Sequence, residues 1–213
     1  MTTITVVRKN GWAAIAADSL TKWGPTKETA AYIINHQKII RVWDSYLAMT
    51  GPTTAKLALE DYFKQAENGV RLDSTEAIFR TWLMLHQALK EKYFMNPEAD
   101  SDDPYESSRM YVLIANANGI FGIAADRAVR EFSRFYAFGR GDEYAMGAMY
   151  AVYDDPSRPA EEIARLGVQA AAEFDDSTGL PIISYTVELN GQPGAEHADQ
   201  YPISVAGLSV PAP

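Results

Sequence analysis

The order of strand-like and helix-like segments predicts an α+β fold in four layers: two antiparallel sheets face to face, with a pair of helices over each outer face. Three observations carry this expectation. Strand-like runs come as neighbours joined by short turns, helix-like runs come two at a time between them, and a last strand closes the series. Their apolar residues also follow two different rhythms, alternating in the first kind and recurring every third or fourth residue in the second.

Taken in order, Thr3-Ile4-Thr5-Val6-Val7-Arg8 is rich in β-branched residues, and Asn10-Gly11 behind it is a strong hairpin signal. Trp12 to Ala17 then returns as the partner strand and ends at Asp18. The polar stretch from Ser19 to about Glu28 holds Gly24-Pro25 and is expected to be a loop, not regular throughout. Lys38 to Trp43 and Tyr46 to Thr50 form a second hairpin around Asp44-Ser45. A helix runs from about Thr53 to Ala66, and a second opens with Ser74 as its N-cap; in the second, Ile78, Trp82, Leu85, Leu89 and Tyr93 recur at helical spacing and read as core. Residues 96–108, NPEADSDDPYESS, read as an acidic solvated loop. Asp100, Asp102 and Asp103 lie within it, without the glycine turn and distal glutamate of a calcium loop. Met110 to Ala115 and Ile120 to Ile123 make another hairpin, and a further strand leads into Ala137 to Asp142. A helix of small residues reaches about Tyr153, one opening near Pro159 reaches about Phe174, and Ile182 to Glu188 is the last strand. The Pro- and Gly-containing tail, residues 190–213, is expected to be irregular, so residues 2–189 are read as one domain.

Composition removes several classes of function. With 213 residues and 47% hydrophobic content the chain can bury one substantial core. A net charge of −9 disfavours nucleic acid, whose phosphates call for a basic stripe, and equally disfavours anionic membrane surfaces. No apolar run has the length of a membrane span. No basic stretch followed by an apolar one marks a secretory leader, and cysteine is absent, so a cytoplasmic protein is expected. The three histidines, His36, His86 and His197, show no ligand spacing, and neither a metal nor another cofactor is expected.

Several of these segments together carry a family pattern. The opening TTITVVRKNGWAAIAADSLTKWG, with Thr2-Thr3-Ile4, the Asn10-Gly11 turn, Asp18 and Gly24, resembles the start of proteasome-type subunits, especially the bacterial HslV peptidase. It is most similar to the bacterial proteasome homologue group called BPH. Lys38-Ile39-Ile40, Met49-Thr50-Gly51 before a helix, Gly139-Arg140-Gly141 before a helix of small residues, and the stretch Asp175 to Gly179 before the last strand continue the likeness over roughly residues 2–189. The resemblance implies the αββα sandwich of N-terminal nucleophile hydrolases, in agreement with the layers read from periodicity.

It also implies a chemistry. Thr2, exposed by removal of Met1, would be the nucleophile of a threonine-type endopeptidase, with its own freed α-amine as general base. Lys38 would lower the pKa of that amine and stabilise charge, Asp18 would hold Lys38, and the Gly51 N–H would face the oxyanion. Asp175 and Thr178 match supporting residues of the family; Thr21, Lys22, Met49 and Thr53 match positions that bind the substrate backbone or shape the first specificity pocket. Arg140 stands where the family has serine; it can point away, pair with Asp142 or Asp175, depress the amine's pKa, or mark a weakened site. From the residues alone, Asp18 could equally cap a loop, Gly51-Pro52 merely turn the chain, and Lys38 lie on a solvent face, with Lys22 and Lys27 as rivals for the lysine role. Lys38→Ala is expected to leave folding nearly unchanged. The implied partners are a peptide or unfolded protein substrate, identical subunits in a double ring of roughly 12–14 copies, and an ATP-dependent unfoldase. Two alternatives stay open, an amidase or acylase acting on small molecules and a catalytically silent ring subunit.

Overall fold

The computed structural model describes residues 2–66, 70–97 and 104–191. The first sheet takes its centre from the opening hairpin, β1 (Thr3–Lys9) and β2 (Trp12–Ala17), with β10 (Phe135–Gly139) beside β1 and β11 (Ile183–Glu188) beside β2. The turn between β1 and β2 places Asn10 and Gly11 at φ of 50° and 78°, the left-handed pair that a tight hairpin with right-handed twist requires. The second sheet runs in the order β5 (Ile39–Val42), β6 (Ser45–Thr50), β7 (Tyr111–Asn116), β8 (Gly119–Ile123) and β9 (Val129–Phe132). All neighbours in both sheets pair antiparallel.

Period-two alternation splits the apolar residues between the layers. Ile4, Val6, Ala13, Ile15 and Ala17 meet Ile39, Ala48, Leu113, Ala115 and Ile120 between the two sheets. On the other side of the first sheet, Val7, Ala14 and Ala16 pack against Ala145 and Met149 of α3 (Asp142–Val152) and Ile163, Ala164 and Val168 of α4 (Ala160–Phe174). The outer side of the second sheet, through Ile40, Leu47, Val112 and Ile114, packs on α1 (Thr53–Gln65) and α2 (Thr75–Glu91). Ser74 caps α2 by accepting the Ala77 N–H at 3.3 Å, and Ile78, Trp82, Leu85 and Leu89 are buried as their spacing predicts. Tyr93 falls beyond the end of that helix, packed against the edge of the same core.

Two features depart from expectation. The stretch read as a loop after Asp18 carries a small hairpin of its own, β3 (Thr21–Trp23) and β4 (Thr26–Glu28), turning at Gly24 and Pro25. Strands this short and this exposed have no buried face to impose alternation, so the pattern is silent there. The single strand expected before Ala137 is two, and they serve different sheets: β9 pairs with β8, and β10 crosses to pair with β1. Residues 98–103, with Asp100, Asp102 and Asp103, and residues 192–213 of the tail, with His197, lie outside the described residues. The described rest of the acidic stretch is mostly exposed, as its composition predicts, and is tied down at its end. Ser108 is buried and its N–H and hydroxyl both donate to the Ala125 carbonyl, each at 2.7 Å, while Glu106 accepts from Lys90 and His86 on α2.

Candidate active site

Asp18 is the hub. It follows β2 at the sheet's end, is fully buried, and each of its carboxylate oxygens accepts two hydrogen bonds. Oδ1 takes the Thr3 N–H at 3.1 Å and the Lys38 ammonium at 2.7 Å; Oδ2 takes the N–H groups of Leu20 and Gly179, each at 3.1 Å. Burial pushes the Asp18 carboxyl up, and Lys38 and the backbone N–H groups of Thr3 and Gly179 pull it down. Four donors on two oxygens leave no acceptor site toward which a carboxyl proton could point, so the group is held as the carboxylate. Burial also draws the Lys38 amine below its ordinary range, against the pull of Asp18 toward the charged form. Lys38 makes a second bond to the Leu20 carbonyl at 2.6 Å. An ammonium with an ionised partner and a carbonyl in reach stays charged, and Lys38 is therefore a buried cation joined to Thr3 through one oxygen atom.

Thr2 is buried next to this pair, one residue before β1. By alternation it shares the face of Ile4 and Val6, the face between the sheets. Its carbonyl accepts the Arg140 N–H at 3.1 Å, which continues the β1–β10 ladder one step beyond the Thr3–Gly139 pair. Gly139 is indispensable to that approach: with φ at +121°, a Cβ there would lie 1.8 Å from the Thr2 carbonyl oxygen. The Arg140 side chain is exposed, and no ion pair to Asp142 or Asp175 is formed among the described residues.

Behind Thr3 runs a chain of hydroxyls whose direction can be worked out. The Gly141 N–H donates to Thr3 Oγ1 at 3.1 Å, Thr3 and Thr178 share a hydroxyl bond of 2.7 Å, and Thr178 Oγ1 donates to Asp175 at 2.6 Å. A hydroxyl has one proton. Because Thr178 gives its proton to the carboxylate, Thr3 must donate to Thr178. Ser177 also donates to Asp175, at 2.9 Å. Sequence reasoning found Asp175 and Thr178 and missed Thr3 and Ser177; a threonine inside a strand reads as a β-branched filler, and only its position on the same face as Thr5, which donates to the Ala164 carbonyl, hints at a polar role there.

Lys38 sits opposite Met49, whose N–H meets the Lys38 carbonyl at 3.4 Å, and Gly51 lies two residues further along the same chain. Gly51 has φ +129°, and a Cβ there would come within 2.8 Å of the Arg109 carbonyl, so the exposed peptide at Gly51 is backed directly by the chain entering β7. Met49 is buried and joins the core toward α1 and α2. Thr53 is exposed as the first residue of α1, and Thr21 and Lys22 are half-buried in β3, which follows Leu20. Of the rival lysines, Lys22 bonds Asp176 and Lys27 is exposed, so Lys38 alone of the three meets Asp18. The expectation that Lys38→Ala spares folding does not survive this geometry, since it would strand a buried carboxylate. Among the described residues no group of three or more acidic or histidine side chains could hold a metal ion, and no helix is long and apolar enough to cross a membrane.

A layered αββα frame with a threonine at the head of its first strand and a lysine–aspartate pair at its second defines the proteasome-type class of N-terminal nucleophile hydrolases. Comparison with solved structures agrees. The structure of Thiobacillus denitrificans BPH matches with 57% identity and a TM-score of 0.86, over 90% of this chain and 100% of that one; the same protein in complex with Epoxomicin matches with 57% identity and a TM-score of 0.84, over 89% of this chain and 100% of that one. The chain belongs to the BPH family of HslV-like, proteasome-type proteins. Eukaryotic HslV from Trypanosoma brucei shares the fold, with a TM-score of 0.64 and 19% identity over 88% of this chain and 99% of that one. No protein-family model matches the chain, and no curated protein does.

Proposed function

We propose that the protein is a threonine-type endopeptidase in which Thr2, freed of Met1, attacks the peptide carbonyl. The observation that carries this reading is the convergence on Asp18 of the Lys38 ammonium and the Thr3 N–H, which holds a buried cation beside the Thr2–Thr3 peptide. A free α-amine titrates at about 7.7–8.0 in the absence of neighbours, and a nearby cation lowers it, so the amine is neutral and able to accept the Thr2 hydroxyl proton at neutral pH. Attack forms a tetrahedral oxyanion, stabilised by the backbone N–H of Gly51. Collapse breaks the C–N bond, and the α-ammonium returns the proton to the leaving amine. An ester on Thr2 remains; water, deprotonated by the same amine, hydrolyses it and restores the enzyme. The hydroxyl chain from Gly141 through Thr3 and Thr178 to Asp175 keeps the strand carrying Thr2 in register. Thr21, Lys22 and Thr53 line the approach of an extended substrate, while Met49, buried in the core behind Gly51, supports that wall from within. Residues 2–189 act as one domain, in a double ring of roughly 12–14 identical subunits with Thr2 facing the cavity and an ATP-dependent unfoldase as feeder. The relative determined in complex with Epoxomicin supports the reading.

The test is covalent labelling. A proteasome-type epoxyketone should bond both the hydroxyl and the amine of Thr2, with intact mass showing Met1 gone. Thr2→Ala should abolish labelling, and Thr2→Ser should keep part of the activity with a less constrained hydroxyl. A Met1-retaining protein that cleaves peptides as fast as the trimmed one refutes the mechanism, because its amine is an amide and cannot act as base.

A further inference from the structure

Arg140 is tied by its backbone to Thr2 and its side chain is exposed, and the Gly141 N–H after it and the Thr178 hydroxyl both bond Thr3 Oγ1, which brings alongside it the turn of a carboxylate that already has a cation. That carboxylate is Asp176, which bonds the Lys22 ammonium. Lys22 in turn lies directly across the β3–β4 ladder from Lys27. Asp176 is held below the usual carboxylate range first by its bond to Lys22 and then by the charges of Lys22, Arg140 and Lys27. Lys22 bonds this carboxylate, Lys27 stands across the ladder from Lys22, and Arg140 is within range of the same charge, in a chain whose overall charge is −9. The other acidic groups nearby are occupied. Asp175 accepts the hydroxyls of Ser177 and Thr178, Glu28 accepts the Trp23 indole N–H at 3.2 Å, and Asp142 accepts N–H groups at the start of its own helix.

The position of this cluster says what it would meet. Arg140 lies opposite Thr2 on the neighbouring strand, and Asp176 lies in the turn whose Thr178 is bonded to Thr3. In the proposed reaction the Thr2 amine hands its proton to the leaving nitrogen, so the leaving fragment sits on the amine's side of the site. We infer that Arg140, with Lys22 and Lys27, forms a subsite for a carboxylate on the leaving fragment of the substrate, either an acidic side chain just after the cleaved bond or a free C-terminus. The inference rests on the peptidase reading. Exposed charge pairs of this kind are worth about two- to five-fold in kcat/KM and fade as salt screens them.

The experiment uses the assembled, trimmed protein and matched peptides with glutamate or glutamine after the cleaved bond, each with a free or an amidated C-terminus, at low and high salt. The expected result is a preference of about two- to five-fold for the carboxylate over its amide, lost at high salt. The Glu/Gln arm and the acid/amide arm tell which carboxylate is read. Arg140→Gln should bring the ratio close to one, and Lys27→Gln, on an exposed strand that no core residue depends on, should lower it by itself. Turnover with no discrimination in either arm, or discrimination unchanged in both variants, overturns the subsite while leaving the peptidase standing. Failure to turn over any of the four peptides with Thr2 exposed overturns the peptidase reading and the subsite with it.

Discussion

Asp18→Asn keeps the size of the side chain and removes its charge. The carboxylate accepts from Lys38, Thr3, Leu20 and Gly179; an amide has one oxygen and an NH2 that is itself a donor. Whichever way the amide turns, its NH2 faces two donors, either Thr3 and Lys38 or Leu20 and Gly179. Breaking one partner of a buried ion pair costs about 3–5 kcal/mol, a large part of a total stability of about 5–15 kcal/mol. For a chain of this size that lowers Tm by roughly 6–20 °C. Asp18→Asn combined with Lys38→Met should recover much of the loss, because the uncompensated ammonium is gone; the Leu20 carbonyl left without its donor keeps about 1–2 kcal/mol of it. The assay is urea denaturation of the wild type, both single variants and the double variant at one protein concentration, closed as a double-mutant cycle. A single-variant cost under about 1 kcal/mol, or a double variant that loses the sum of the singles, would refute the description of this pair as a buried, mutually dependent one.

Gly139→Ala puts a methyl where the Thr2 carbonyl is, at a φ of +121°, so it should lower stability by more than about 4 kcal/mol or prevent soluble expression, read by thermal melting. Thr178→Val removes the acceptor for Thr3 and a donor to Asp175 and should cost about 1–3 kcal/mol in denaturant titration, with Thr178→Ser close to wild type. His86 gives a pH dependence. Its Nε2–H donates to Glu106, its Nδ1 is buried with no partner among the described residues, and burial draws its pKa below the ordinary 6.5. The folded state then binds fewer protons than the unfolded one below that value, so stability should fall as pH drops from about 6.5 through the folded-state pKa. Denaturant midpoints between about pH 7.5 and pH 5.5 should show the decline in the wild type and less of it in His86→Gln.

Much of this was legible in the residues for reasons that can be named. Asn10-Gly11 can only serve a hairpin of one hand, Ser74 had a helix to cap, and the stripe from Ile78 to Leu89 had no other face to bury. The Asp18–Lys38 pair was another matter: two residues 20 apart say nothing about each other until the sheets close, and only the family resemblance brought them together. The β3–β4 hairpin was out of reach because its short exposed strands bury no face, and the switch of sheets between β9 and β10 and the role of Thr3 because each depends on which strand becomes a neighbour, a tertiary fact without a local signature. Arg140 showed the reverse: its departure from the family's serine was plain, and in the structure its N–H bonds the Thr2 carbonyl, a contact that does not depend on the side chain.

The alanines of β2 have a mechanical meaning. Ala13 and Ala17 face the opposite sheet while Ala14 and Ala16 face α3 and α4, so one strand determines how closely both neighbouring layers approach the first sheet. It is a spacer, one methyl thick toward the helices at Ala14 and Ala16, and on the other side one methyl thick at Ala13 and Ala17 around the larger Ile15. Asp18 is its next residue, which means that the gap between layers and the height of the lysine–aspartate pair are adjusted together. Widening at Ala14→Val or Ala17→Val, at an overpacking cost of about 1–3 kcal/mol, would tilt the end of β2 and carry Asp18 away from Thr3 without touching a single residue of the site.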